Sequence, residues 1–388
     1  MKRTVLGLVM GALCAACGPQ PSTGGTTSSS SGEQGLVDAG EQLPPDAGYE
    51  PGWQIGRGDH SAGSVTLTVI AQASDGLRRP RDLQFHNSRE DELWIVNRQD
   101  DSTVTVYAAT TPERNAVKKI DAFALHFMEE VSSMAFGKPD QFATCQESRN
   151  TYNGQSPQPN DFMGPALWTA DPAIYAVVDP EGLGSHLDML HESPLCMGIA
   201  HVQDNIFWVF DGMDGALVYY DFAEDHGAGY DDHSDGVILR YASGEVLRVA
   251  DVPSHMVFNA DNNHLYVADT GHSRVLKFDT SSGTSGPLLP AKEQGTVHRR
   301  YTGAVLTDVV TAASGDVSKP SGLELHDGLI WVSDNENGRI SAFTMEGTRV
   351  NYLDTGLPTG SLMGMTFGPD GRLYFVDAVG NQVLRVEP

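Results

Sequence analysis

Val252-Pro253-Ser254-His255-Met256-Val257-Phe258-Asn259-Ala260-Asp261-Asn262-Asn263-His264-Leu265-Tyr266-Val267-Ala268-Asp269-Thr270-Gly271-His272-Ser273-Arg274-Val275-Leu276-Lys277-Phe278-Asp279 is the stretch on which the fold turns. Three short runs in it, 256–259, 264–268 and 274–278, are rich in β-branched and aromatic residues and read as strands. Asp261-Asn262-Asn263 and Asp269-Thr270-Gly271 separate them. Asp and Asn close turns with their own side chains, and Gly accepts positive φ. Such a unit cannot bury both of its faces alone, so it needs copies beside it.

The copies are present. Leu93-Trp94-Ile95-Val96, Phe142-Ala143-Thr144-Cys145, Ile206-Phe207-Trp208-Val209, Leu265-Tyr266-Val267-Ala268, Leu329-Ile330-Trp331-Val332 and Leu373-Tyr374-Phe375-Val376 are middle strands whose starts lie 49, 64, 59, 64 and 44 residues apart. Before them come inner strands at 82–85, 132–136, 197–200, 255–258, 322–325 and 364–367. Third strands follow at 103–107, 174–178, 216–220, 274–278, 339–343 and 382–386, and fourth strands at 116–123, 187–192, 237–241, 305–311 and 349–353. The last copy ends after three strands, and 64–72 supplies its fourth. The pattern predicts an all-β, six-bladed β-propeller closed by an N-terminal strand pairing with the last blade.

Residues Leu265 to Asp279 resemble the NHL repeat, a tyrosine-valine-alanine-aspartate strand, a turn, and a basic residue entering the next strand. Residues 329–343 and 373–386 are similar. The resemblance implies the propeller fold. For function it implies an interaction scaffold, a lactonase-like hydrolase or a peptidylamidoglycolate lyase.

The chain carries 25 Lys plus Arg against 51 Asp plus Glu, a net charge of −26. Such a surface repels a polyanion, so nucleic acid is excluded as a partner. Met1-Lys2-Arg3, the ten-residue apolar run 4–13 and the small residues after it form a secretory signal. Ala15-Ala16-Cys17 resembles a bacterial lipoprotein lipobox, which implies a lipid on Cys17. Gly18 resembles the sorting pattern for an outer membrane. The division that follows is a signal peptide over 1–17, a Ser/Thr/Gly/Pro-rich tether over 18–52 and a propeller over 53–388. The mature protein is therefore expected to be extracytoplasmic and lipid-anchored. Cys145 and Cys196, the pair left in the body of an exported chain, are expected to form a disulfide.

Loops joining second to third strands share a face with the links between blades, and that pore face surrounds the starts of the inner strands. Arg81-Asp82, Ser132-Ser133, Met197-Gly198, Ser254-His255, Ser321-Gly322 and Met363-Gly364 fall there, with Arg81 and His255 the chemically able members. A lyase of this fold would hold zinc through three axial histidines; His255 alone matches. A lactonase-like site would draw on Asp82, Asn97, Asp211, Asp269, Asp334 and Asp377, but all save Asp82 end second strands, where turn capping accounts for them.

Two insertions break the repeat. Residues 148–172, with Arg149, Tyr152, Phe162 and Trp168, form a candidate ligand-binding lid on the pore face. Residues 224–236, on the opposite face, hold His226, Asp231, Asp232, His233 and Asp235, which suit a divalent metal, zinc or calcium. Two readings stand. One is an anchored module binding a protein, peptide or glycan at the pore face. The other is a metal-dependent enzyme, lyase-like or lactonase-like, with its site near His255, Arg81 and the 148–172 loop. Lipidation has its own test: Cys17→Ser is expected to move the protein from the membrane to the soluble fraction, and undiminished membrane association would remove the anchor.

Overall fold

The computed structural model describes residues 50–151, 157–177, 182–230 and 232–388. Within them the strands form six sheets, each built on four antiparallel strands from an inner to an outer one. The inner strands are Pro80–Phe85, Val131–Phe136, Cys196–Gln203, Met256–Asn259, Pro320–His326 and Leu362–Phe367. Each packs on the next, and the last packs on the first, so the sheets are six blades around an axis. Thr66–Ala71 pairs antiparallel with Gln382–Glu387 and completes blade six, as the sequence predicts. The lipobox, the signal peptide and residues 18–49 of the tether lie outside the described residues.

Alternation explains the core. Inward side chains of neighbouring blades meet in apolar layers, and the aromatic residues of the middle strands dominate them. Between blades one and two, Trp94, Phe142, Trp168 and Tyr175 are all buried and meet ring to ring. Burial of such side chains is the main favourable term in folding.

Two elements differ from the expectation. The third strand of blade two is Ala166–Thr169, not 174–178. Leu167 and Trp168 are buried there, whereas Ile174 and Val177 are about half exposed in the turn after Pro172. Trp168 is therefore core, not lid: its Nε1 donates to Thr144 Oγ1 at 2.9 Å. Second, blade three has six strands. The connection between the third and fourth strands of blade four carries a hairpin, Thr284–Leu288 with Val297–Thr302, which adds in parallel to Val237–Tyr241. Its strands are mostly exposed and show little apolar alternation, so the repeat pattern does not reveal them.

Cys145, in the second strand of blade two, is bonded to Cys196, the first residue of the inner strand of blade three, with Cα atoms 5.2 Å apart. The bond closes a sequence separation of 51 residues. Constraint of the unfolded chain by a loop of that size is worth about 2–4 kcal/mol. Replacing both cysteines with alanine is expected to lower unfolding stability by that amount in a denaturant titration; an unchanged midpoint would show that the bond does not hold the blades together.

Candidate functional site

The geometry at the axis follows from a repeated defect. Five inner strands slip register against their middle strands at the pore-face end: between Pro80 and Asp82, Val131 and Ser133, Cys196 and Gly198, Pro320 and Leu323, and Leu362 and Met365. A bulge re-aims the side chains beside it. The positions that the repeat singles out, Arg81, Ser132, Met197, Ser321 and Met363, sit in these bulges. His255 lies just before the remaining inner strand, that of blade four, and Ala268 N–H donates to its carbonyl at 3.0 Å.

These residues also tie the ring together. Asp82 Oδ2 accepts from Met134 N–H at 2.9 Å, Ser132 Oγ donates to Cys196 O at 2.7 Å, and Ser254 N–H donates to Met197 O at 2.9 Å. His255 N–H donates to Ser321 O at 2.9 Å, Ser321 Oγ to Leu362 O at 3.0 Å, and Arg79 N–H to Asn381 Oδ1 at 2.6 Å. Thus every blade is bonded to the next. Asn97, Asp211, Asp269, Asp334 and Asp377 all accept backbone N–H groups. For Asn97, Asp269 and Asp334 the donor lies in the link entering the same blade, so these side chains clamp the links.

Inside the ring is a small cavity of about 130 Å³, lined by Asp82, Gln84, His255, Glu324 and methionines. His255 reaches across it: Nε2 is 3.6 Å from Asp82 Oδ2 and 3.3 Å from Ser132 O. Burial raises the Asp82 pKa, and the facing His255 and two backbone N–H donors pull against that rise. Glu324 keeps partial exposure to the cavity yet sits deep in the ring, and desolvation, with Asp82 adding to it, pushes its carboxyl up to about 8.

The pore face carries a different arrangement. Arg81 is 1% exposed, and neither Nη atom has a hydrogen-bond partner. Desolvation, reinforced by Arg98 and Arg79, pulls its pKa down to about 10 against the opposing charges of Asp251 and Glu147. Its nearest carboxylate oxygen, Asp251 Oδ1, is 3.9 Å away; Arg79 and Arg98 approach the same oxygen at 3.8 and 3.2 Å. Glu147 takes Arg98 and Arg248 at 2.8 and 2.9 Å. Arg79, Arg81, Asp251, Asn335, Met363 and Asn381 line a cavity of about 380 Å³ that shares no lining residue with the axial one. Arg79, Asn335 and Asn381 were not singled out by the sequence; Arg79 lies three positions before the predicted strand and Asn335 just after the clamp Asp334.

The remaining predicted residues separate. Arg149 pairs with Asp161 at 2.7 Å within its own loop, away from Arg81. Asp161 in turn borders a cleft of about 410 Å³ with Glu192, Asp214, Arg240 and Lys292. Tyr152 and Asp231 lie outside the described residues. The 224–236 insertion packs along the outer strand of blade two, through Gly229 N–H to His186 O at 2.8 Å and Leu183 N–H to Gly229 O at 3.0 Å. His226 and Asp235 come together there at 3.1 Å, and His233 pairs with Asp188 at 2.6 Å. Asp232 bonds to Ser234 instead. Asp188 was missed; a lone carboxylate in the apolar outer strand His186–Met189 was its only mark in the sequence.

Residues 251–278 match the NHL repeat. The match falls on blade four, the stretch where the repeat is clearest. A luciferin-regenerating enzyme shares the fold with a TM-score of 0.50 and 13% identity, over 84% of this chain and 95% of that one. An auxiliary nutrient binding protein from Bacteroides thetaiotaomicron has a TM-score of 0.53 and 12% identity, over 82% and 75%. Its counterpart from Bacteroides ovatus has 0.53 and 12%, over 84% and 76%. These likenesses show the fold. No curated protein matches the sequence. Among the described residues, no helix is long and apolar enough to cross a membrane.

Glu324 makes the axis sensitive to pH. The folded chain keeps its proton up to about 8, whereas an unfolded carboxyl releases it near its ordinary value of 4.5. Between those values the folded state binds more protons, so stability falls as pH rises through the window. Glu324→Gln removes this loss. The variant's melting temperature is expected to exceed the parent's by a margin that grows from pH 5 to pH 9; a margin independent of pH would mean that Glu324 stays ionised in the fold.

Proposed function

We propose that this chain is an extracytoplasmic binding module, anchored by a lipid on Cys17 to a bacterial outer membrane, that engages a protein, peptide or glycan partner through a carboxylate at its pore face. The observation that carries the reading is the Arg81 guanidinium, buried without a hydrogen-bond partner against a 380 Å³ cavity. A buried guanidinium whose Nη atoms make no hydrogen bond costs free energy, and a bidentate carboxylate partner offsets that cost. Asp251 indicates the ligand group. Its side chain is 57% exposed, and it presents one carboxylate oxygen to three guanidiniums at 3.2–3.9 Å, the place an incoming carboxylate would take. Arg79, 50% exposed, is free to close over it. Arg79, Arg81, Arg98 and Arg248 outnumber the carboxylates they meet, Asp251, Glu147 and Glu130, so the patch stays net positive in a chain of net charge −26 and favours an anion.

The lipobox and the bonded Cys145–Cys196 pair support an oxidising compartment outside the cytoplasm. For the metal-dependent enzyme, His255 is already engaged by Asp82 and Ser132, and the positions that match it in the other blades are Asp82, Ser133, Gly198, Gly322 and Gly364, with no second histidine. The pore face therefore favours binding over hydrolysis.

Calorimetry with short peptides bearing free C-termini, the same peptides amidated, and galacturonate oligomers tests the reading. At least one carboxylate-bearing probe is expected to bind saturably. Arg81→Ala should weaken it tenfold or more, the scale of a lost charge-assisted hydrogen bond, while Asp251→Ala should tighten it. Equal binding by the parent and Arg81→Ala, or no binding by any probe to the parent and to Asp251→Ala, would overturn it.

A further inference from the structure

We infer that the rim between blades two and three holds a divalent transition metal ion of the zinc type, ligated by Asp188, His226 and Asp235. One donor atom from each of the three lies within 4.8 Å of the others. Ligands about 2 Å from a tetrahedral zinc stand roughly 3.3 Å apart, so a modest contraction assembles three of four corners and leaves the fourth to water. Asp188 comes from the outer strand of blade two, and His226 and Asp235 come from the two ends of the 224–236 insertion of blade three. No single stretch of chain contains the set.

A second observation points to a missing partner. The Asp188 side chain is fully buried, its Oδ1 accepts from Met189 N–H at 2.6 Å and pairs with His233 Nδ1 at 2.6 Å, and its Oδ2 has no hydrogen-bond partner. A buried carboxylate oxygen without a donor is costly unless a cation meets it. His226 and Asp235 supply the outer side of the site, with side chains 18% and 34% exposed, so an ion has a way in. Imidazole nitrogen together with two carboxylates favours zinc over calcium, which takes six or more oxygens. His233 acts as a positioning residue: it orients Asp188 as hydrogen-bonded groups orient ligating carboxylates elsewhere. With the ion bound, the insertion is fastened to the neighbouring blade. The site is distinct from the pore face and does not depend on Arg81.

The test uses the chelator-stripped protein and zinc chloride alone, followed by calorimetry and thermal melts, with calcium chloride as the comparison ion. One equivalent of zinc is expected to bind and raise the melting temperature. Zinc should also protect residues 224–236 from limited proteolysis. His226→Ala, on an exposed loop, should lose stoichiometric zinc binding and the protection, and Asp188→Asn should do the same if it folds. Asp232→Ala and Arg81→Ala should keep both. Zinc binding equal in the parent and His226→Ala would overturn the inference, as would no stoichiometric binding, or calcium binding as tightly as zinc.

Discussion

The pairing of Thr66–Ala71 with Gln382–Glu387 closes a ring, and everything else in the protein depends on that closure. A blade has two apolar faces and can cover neither by itself, so six blades in an open row would leave two of those faces in water. Closure also fixes the axis. Gly198, Gly322 and Gly364 are required where inner strands approach, since a Cβ at these positions would meet Ser254 O at 2.0 Å, Met363 O at 2.4 Å and Asp82 Oδ1 at 2.3 Å. With backbones this close, the interior holds only about 130 Å³, crossed by the Asp82–His255 pair. The axis is a structural core with a few polar struts, and chemistry is displaced to the faces and the rim.

That displacement explains why the most conspicuous sequence candidate turned out less informative than its neighbour in the pattern. His255 stands out because the other repeats have no histidine there. The fold spends it on joining blade four to blades one and two. Arg81 lies one position before Asp82, the blade-one match of His255, in a bulge that sets it among other arginines, and neither of its Nη atoms finds a hydrogen-bond acceptor. Adjacent positions of the repeat therefore fare differently, His255 meeting Asp82 and Ser132 and Arg81 meeting no hydrogen-bond acceptor at either Nη. What separates them is which side chains the ring brings opposite, and that is a tertiary fact.

The fold was legible because it repeats. Six middle strands of nearly constant pattern fix the blade count, and the short last copy requires a strand from the N-terminal side. The elements that escaped are those without a copy. The third strand of blade two was misplaced because the apolar run after Pro172 resembles a strand better than Ala166–Thr169 does, and only burial of Leu167 and Trp168 distinguishes them. The hairpin 284–302 escaped because it pairs with a blade other than its own. At the sites, the sequence found residues that lie in the repeat register or in a polar insertion. It missed Arg79 and Asp188, whose significance exists only once blades are neighbours.

Arg81 and Asp188 are buried charged side chains with unused hydrogen-bonding capacity, and Glu129 and Glu293 also have an unpartnered buried atom, Oε2. Arg240 is buried too, but Asp211 Oδ2 and Glu192 O meet its guanidinium at 2.5 Å each. Glu147 is buried and meets Arg98 and Arg248. These show that the fold is able to satisfy an interior charge where the charge serves only structure. In a protein of marginal stability, a buried ionic group with unused hydrogen-bonding capacity is a burden that packing alone gives no reason to keep. The Arg81 Nη atoms lack an acceptor and Asp188 Oδ2 lacks a donor, so the two point to ligands of opposite sign, an anion at the pore face and a cation at the rim.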